Sequence, residues 1–221
     1  MGIPVLIIGK SGTGKTSSLR NCVNNSRFGL IKAINKPLPF RGTIPSVQTD
    51  DYSKILALLS RSKAPSMIID DAGYLITNYF MRNHSKHAAG NAVFGLYNTL
   101  ADNYWNMVQF IIEQLPENRI VYIIMHEDTN DFGEIKPKTI GKLLDEKICL
   151  EGMFTIVLRC VIENGNEHRF ITQYSEGAVS KSPMGMFEEL SIDNDLLFVD
   201  NTIREYYNIE TKEKFSHEQT E

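Results

Sequence analysis

Cysteine is scarce in this chain. Three thiols, Cys22, Cys149 and Cys160, are spread over 221 residues with no C-x-x-C pair. That excludes a disulfide-stapled scaffold and a cysteine-built zinc knot, and it fits a reducing compartment with thiols as small core residues. No stretch approaches the roughly 20 apolar residues of a membrane helix. The N-terminus carries no charged segment followed by a cleavable apolar run, so no leader and no membrane contact are expected. Positive charge is not in excess. Lys and Arg number 23 against 27 Asp and Glu, a net charge of −4. A broadly basic nucleic-acid coat is thereby excluded, and any nucleic-acid contact must come from local patches. Internal repeats and low-complexity tracts are also missing. A 42% hydrophobic content is enough for one sizeable core. One domain is expected over residues 1–200, followed by a polar, acidic-leaning tail over 201–221.

What is present begins at the N-terminus. The apolar run Pro4-Val5-Leu6-Ile7-Ile8 leads directly into Gly9-Lys10-Ser11-Gly12-Thr13-Gly14-Lys15-Thr16. This is the G-x-x-x-x-G-K-[ST] pattern in its physical setting, a buried strand turning into a helix. Glycines let the backbone wrap closely around phosphate, and the amides from Ser11 to Thr16 point inward. The helix expected from Ser17 to Val23 adds its positive end to the anion site. Lys15 is placed to reach the β- and γ-phosphates, and the Thr16 hydroxyl to ligate Mg²⁺. Gly9 to Ser17 form the expected nucleotide cradle.

Further along, Leu30–Ile34 reads as a short strand and Tyr52–Arg61 as a helix with an aspartate at its N-cap. Met67-Ile68-Ile69-Asp70-Asp71 reads as a buried strand ending in two carboxylates. A polar segment containing His84 and His87 follows. Val93–Leu115 has one apolar face at helical spacing, with Tyr104, Trp105 and Phe110 read as core. Ile120–Met125 is a fully apolar strand ending at His126. The sixteen or so residues from Glu127 to Lys142 read as a loop long enough to be functional. A short helix is expected over Lys142–Leu150. Two alternating strands, Phe154–Glu163 and His168–Tyr174, join through Asn164-Gly165-Asn166 as a hairpin. Strand–helix repetition followed by a hairpin predicts an α/β fold. Its sheet is mainly parallel, flanked by helices on both faces, with an antiparallel hairpin at the edge.

The chemistry expected of this pattern needs an acid on a neighbouring strand to hold the Mg²⁺ shell, and Asp70 fits. Hydrolysis needs a group to orient or deprotonate water. Asp71 is one candidate, with a helix N-cap as its alternative reading. His126, at the same strand edge, is placed to contact the γ-phosphate or relay its presence, or simply to end a strand as a satisfied polar residue. Lys181 lies on an exposed turn and, from spacing alone, reads as solvated surface. His84 and His87 have no supporting acid or thiol cluster and read as a solvated loop rather than a metal site.

Taken together, GKSGTGKT at 9–16, MIIDD at 67–71, IVYIIMHED at 120–128 and the segment Lys181–Phe187 after a hairpin resemble a RecA-like P-loop ATPase. The resemblance is to the small phage-encoded ATP-binding proteins of the AAA superfamily, some of which act in single-strand annealing or recombination. It implies ATP and Mg²⁺ as ligands, a homo-oligomer with ATP at the subunit interface, and single-stranded DNA as a partner. Recombination proteins are further partners that it implies, as is a cytoplasmic setting in a bacterial host. By position, Thr77–Asn91 and Glu127–Lys142 would be the two DNA-facing loops. Arg82, Lys86, Lys136, Lys138 and Lys142 would then face phosphate, and Lys181 would reach a neighbour's ATP. One departure matters. Such enzymes carry a catalytic glutamate after the second strand, where this chain reads Ile34-Asn35-Lys36-Pro37. Either Asp71 takes the role or hydrolysis is slow. Two further readings stay open: a nucleotide-dependent switch or assembly ATPase that binds a protein partner, and a small nucleotide kinase. The kinase generally needs an arginine-rich lid, which the long loop lacks.

Overall fold

The computed structural model describes residues 1–87, 91–130, 132–175 and 177–209; the side chains of residues 87, 91, 142 and 143 fall outside that description. In chain order the elements are β1 (Ile3–Gly9), β2 (Phe28–Lys32), β3 (Ser46–Gln48), α1 (Tyr52–Arg61) and β4 (Ser66–Asp70). Then come α2 (Gly73–Asn83), α3 (Asn91–Gln114), β5 (Ile120–Thr129), β6 (Ile135–Pro137) and α4 (Lys142–Asp145). The chain closes with β7 (Ile156–Glu163), β8 (Glu167–Ile171), β9 (Ser191–Asp193) and α5 (Leu196–Tyr206). Short 3-10 helices lie at Thr16–Cys22, His84–His87 and Glu151–Met153.

The strands form a mixed, mostly parallel sheet in the order β3-β2-β4-β5-β1-β7-β8-β9, with β6 paired to β5. Strands β1 to β5 and β7 run parallel, while β8 and β9 are antiparallel to their neighbours. The period-2 alternation of a strand sends β1 side chains to two cores. Leu6 and Ile8 pack with α1, α2 and α3, and Val5 and Ile7 pack with Leu19, Cys22 and the α5 residues Leu196, Val199 and Ile203. Helices on both faces explain why β1, β4 and β5 read as unbroken apolar runs rather than alternating ones. The α/β class and the antiparallel edge are as expected.

Several expectations need correction. Thr16–Cys22 is a 3-10 helix, not an α-helix. Leu19 and Cys22, three apart, are both fully buried, and a three-residue turn brings them onto one side. Strand β2 starts two residues before the expected Leu30. The segment expected as a polar loop from Thr77 is mostly helix. Leu75 and Ile76 bury one side of α2, and the polar residues that suggested a loop line its outer side. The expected long loop after His126 is a hairpin. Strand β5 continues to Thr129 and pairs Glu127 with Pro137, Asp128 with Lys136 and Thr129 with Ile135. Trp105 is 48% exposed, whereas Tyr104 is in the core.

The boundary expected at residue 200 falls inside α5. Asp195 caps this helix through the amides of Leu197 and Phe198. Asp200, fully buried, accepts from Ser66 Oγ at 2.5 Å, Tyr122 OH at 2.9 Å and Arg204 Nε at 2.9 Å. Arg204 also donates to Ser66 Oγ at 2.7 Å. This paired charge ties α5 to the starts of β4 and β5. The rest of the expected tail, residues 210–221, lies outside the described residues.

Candidate functional site

The carboxyl ends of β1, β4 and β5 lie side by side, with β5 in the middle. Gly9 at the end of β1 is in register with His126 on β5, and β4 lies beyond, ending at Asp70. Asp70 was expected on the strand beside the loop. Instead β5 intervenes, and this gives His126 a place between the loop and the acids.

The loop after β1 leaves no room for a Cβ at two positions. Gly14 adopts φ +100°, and a Cβ there would lie 2.8 Å from His168 Nδ1. A Cβ on Gly9 would lie 2.6 Å from the Cys160 carbonyl oxygen. Three side chains brace the loop. Cys160 Sγ donates to the Thr13 carbonyl at 2.9 Å, and His168 Nδ1 lies 2.7 Å from the same oxygen. Asn194 Nδ2 donates to Cys160 Sγ at 3.0 Å. Lys10, Ser11 and Gly12 are exposed at the tip and Ser17 is half-buried.

Lys15 is buried. Its Nζ donates to the carbonyls of Gly9 at 2.8 Å and Lys10 at 2.7 Å, and lies 3.5 Å from His126 Nδ1. Burial lowers its pKa, opposed by the carboxylates of Asp71, Asp70 and Glu127. An imidazole that accepts from this ammonium at Nδ1 would present its N–H at Nε2. Nε2 lies 3.6 Å from Asp71 Oδ1.

Thr16 Oγ1 lies 3.2 and 3.1 Å from the two carboxylate oxygens of Asp70. Burial, together with the neighbouring Asp71 carboxylate, pushes Asp70 up from 3.8 to about 6. A buried carboxylate next to a hydroxyl suits a hard divalent cation that keeps most of its waters, so the residues present fit Mg²⁺. Among the described residues there is no group of three or more His, Cys, Asp or Glu arranged to hold a metal. His84 stacks on Phe80 at 5.3 Å between ring centroids, and the side chain of His87 lies outside the described residues.

Asp71 adopts φ +57°, unusual for a side-chain-bearing residue. This bend turns the chain from β4 into α2, and it removes the helix N-cap reading of Asp71. The N-cap position of α2 is Ala72, with no side-chain cap. The Asp71 carboxylate faces the site instead, with Oδ2 2.6 Å from Lys36 Nζ. Burial works to raise its pKa, but His126 and Lys36 outweigh it and hold the carboxyl below the usual range. Lys36 and its position were not legible as part of a site. Its Nζ also lies 5.7 Å from the centroid of the Tyr74 ring, which meets the His126 ring edge-on. Glu127 is a second residue that sequence reasoning missed here. It is buried in a two-pronged pair with Arg159, at 2.9 and 3.0 Å.

The structure does not gather the remaining expected residues. Lys181 pairs its backbone with Val157 on β7, at the level of Leu6 on β1, three residues short of Gly9. Among the described residues it forms no ion pair. Arg82 sits on α2, paired with Asp50, and Lys86 is exposed on the following 3-10 turn. Lys138 lies 3.4 Å from Asp128 and Lys136 4.0 Å from Asp145, both pairs within or beside the β5–β6 hairpin. The side chain of Lys142 lies outside the described residues. At the hairpin's turn Phe132 is 90% exposed, a feature that no residue pattern had singled out.

No family model matches this sequence, and no characterised protein matches it either. No helix among the described residues is long and apolar enough to cross a membrane.

Proposed function

We propose that this chain is a RecA-like P-loop ATPase that binds Mg²⁺·ATP in the Gly9–Ser17 loop and hydrolyses it slowly. One observation carries the reading: Thr16 and Asp70, 54 residues apart, meet at 3.1–3.2 Å beside the buried Lys15. Lys15 exchanges its two loop carbonyls for phosphate oxygens. Thr16 and Asp70 would hold Mg²⁺, which when bound would supply charge neutralisation to the phosphates. Asp71 accepts the proton of the attacking water and His126 holds that carboxylate in place. An acid held below its usual range is a weak base, so turnover is slow.

The resemblance further suggests assembly into a homo-oligomer, with Lys181 reaching a neighbour's nucleotide, and ATP-controlled binding of single-stranded DNA in recombination or annealing. The exposed Phe132, on the hairpin segment that carries Lys136 and Lys138, supports the DNA part, because an exposed aromatic ring offers a face on which a base stacks. The engagement of Asp71 by Lys36 favours a second reading, a nucleotide-dependent switch that binds a protein partner.

The test is calorimetric titration of ATP with and without Mg²⁺, followed by turnover with and without single-stranded DNA. Mg²⁺-dependent binding that Lys15→Ala abolishes is expected, with turnover raised by DNA. Retention of affinity in Lys15→Ala would sink the site. Binding without any DNA effect would favour the switch.

A further inference from the structure

Lys36 belongs to no part of the motif that suggested nucleotide binding, yet its side chain ends among the site's acids. Its placement is built. Strand β2 ends at Lys32, in register with Asp70. The next three residues turn back, with the Lys36 amide donating to the Ile34 carbonyl at 3.0 Å. Lys32 Nζ holds this turn through the Lys36 carbonyl at 3.3 Å and Asn35 Oδ1 at 3.4 Å. The Lys36 ammonium is thereby delivered to Asp71 across the carboxyl edge of the sheet.

Two ammonium groups bracket one His126–Asp71 unit. Lys15 touches the imidazole from the loop side, and Lys36 touches the carboxylate from the far side. Lys15, the cation that the nucleotide reading gives to phosphate, is linked to Asp71 through His126, at 3.5 and 3.6 Å. A terminal phosphate beside Lys15 would therefore stand near the carboxylates of Asp70 and Asp71. Mg²⁺ held at Asp70 would offset one of them, and Lys36 is the cation in contact with the other. Its side chain is 51% exposed, so it can leave Asp71 without crossing packed protein. A diphosphate lacks that terminal group.

We propose that Lys36 is a phosphate-contacting residue that recognises the terminal phosphate of a bound nucleoside triphosphate and so distinguishes triphosphate from diphosphate. This rests on the nucleotide reading above. It places a cation where the resembling enzymes carry a glutamate, and it gives the site a means of sensing which nucleotide it holds.

The experiment compares dissociation constants of Mg²⁺·AMP-PNP and Mg²⁺·ADP for wild type, Lys36→Met and Lys36→Arg. Methionine keeps the length and apolar stem while removing the charge. In Lys36→Met, AMP-PNP is expected to bind on the order of ten- to a hundred-fold more weakly. ADP is expected to stay within about two-fold, which also reports an intact loop and fold. Lys36→Arg is expected to regain most of the lost AMP-PNP affinity. Equal weakening of both nucleotides in Lys36→Met, or no change in either, overturns the proposal while leaving nucleotide binding standing. Failure of wild type to bind either nucleotide overturns the nucleotide reading and this proposal with it.

Discussion

Replacing Asp70 by asparagine keeps the shape of the side chain and removes its charge. In the folded protein this carboxyl is 6% exposed, and burial, with the Asp71 carboxylate beside it, pushes it from 3.8 to about 6. Between those values the folded chain holds a proton that the unfolded chain has released. Stability is therefore highest below pH 3.8 as far as this group is concerned, and it falls as pH rises through about 6. A gap of about two pH units is worth roughly 3 kcal/mol. Asparagine recovers part of that. Asp70 oxygens accept from both Thr16 Oγ1 and the Asp71 amide, and the single amide oxygen serves them less well. A net gain of about 1–2 kcal/mol near pH 8 follows, which for a chain of this size raises Tm by about 2–8 °C. Thermal unfolding by circular dichroism in EDTA, at about pH 8 and about pH 4, measures it. Asp70→Asn is expected to melt above wild type at the higher pH, with the difference shrinking at the lower. On the proposed nucleotide reading the order reverses with Mg²⁺ and ATP, because wild type alone would keep the metal-holding carboxylate and gain ligand stabilisation. An Asp70→Asn protein that melts at or below wild type at the higher pH in EDTA would refute the view that burial strains this carboxylate.

Arg204→Ala removes the nearer of the two arginines on the fully buried Asp200, leaving Arg27 Nε at 3.5 Å, and is expected to cost about 2–4 kcal/mol in urea unfolding; a loss under about 1 kcal/mol would mean that the network does not hold α5. Changing Lys136 and Lys138 together to Gln should lower the slope of log affinity for single-stranded DNA against log salt by about 1–2. Phe132→Ala should weaken the same binding by about ten-fold with ATP affinity unchanged. Wild-type salt dependence and affinity in both would remove the β5–β6 hairpin from any DNA contact.

Elements whose pattern reports their own packing could be read from the chain alone. Strands β1, β4 and β5 are apolar on both faces because helices cover both. Helix α3 keeps three-to-four spacing through Leu96, Leu100, Tyr104, Val108 and Ile111. The Asn164-Gly165 turn, with φ of +50° and +77°, announces its hairpin. Elements whose pattern is set by distant partners could not. Helix α5 was hidden because its buried side carries Asp200 and Arg204, which interrupt the apolar period and are tolerated only because they pair with each other and with Ser66 and Tyr122. Strands β6 and β9, three residues each, are too short for a period to appear. In the site, Lys15, Thr16 and Asp70 were legible because each stands in a local motif. Lys36, His168 and Asn194 stand in none. They converge on the loop and its acids through the strand order, and that order is a property of the whole sheet. The one local clue to Lys36 was its place just after a strand that ends at the same edge as Asp70.

The polar groups assigned to nucleotide already have protein partners. Lys15 holds two carbonyls, Thr16 holds Asp70, and Asp71 holds Lys36. Binding therefore exchanges hydrogen bonds instead of adding them, and neutral exchanges of this kind yield little net free energy. The gain has to come from charge. A bond from Lys15 to phosphate oxygens would be charge-assisted on both sides, whereas Lys15 now faces neutral carbonyls; Lys36 would exchange one such pair, with Asp71, for another. A divalent cation at Asp70 also relieves the repulsion between two adjacent carboxylates, one of them buried enough to be displaced to about 6. On the proposed reading, phosphate and metal would each correct the other's electrostatic cost in this site. Their binding would be coupled for that reason, each raising the affinity for the other by the same factor.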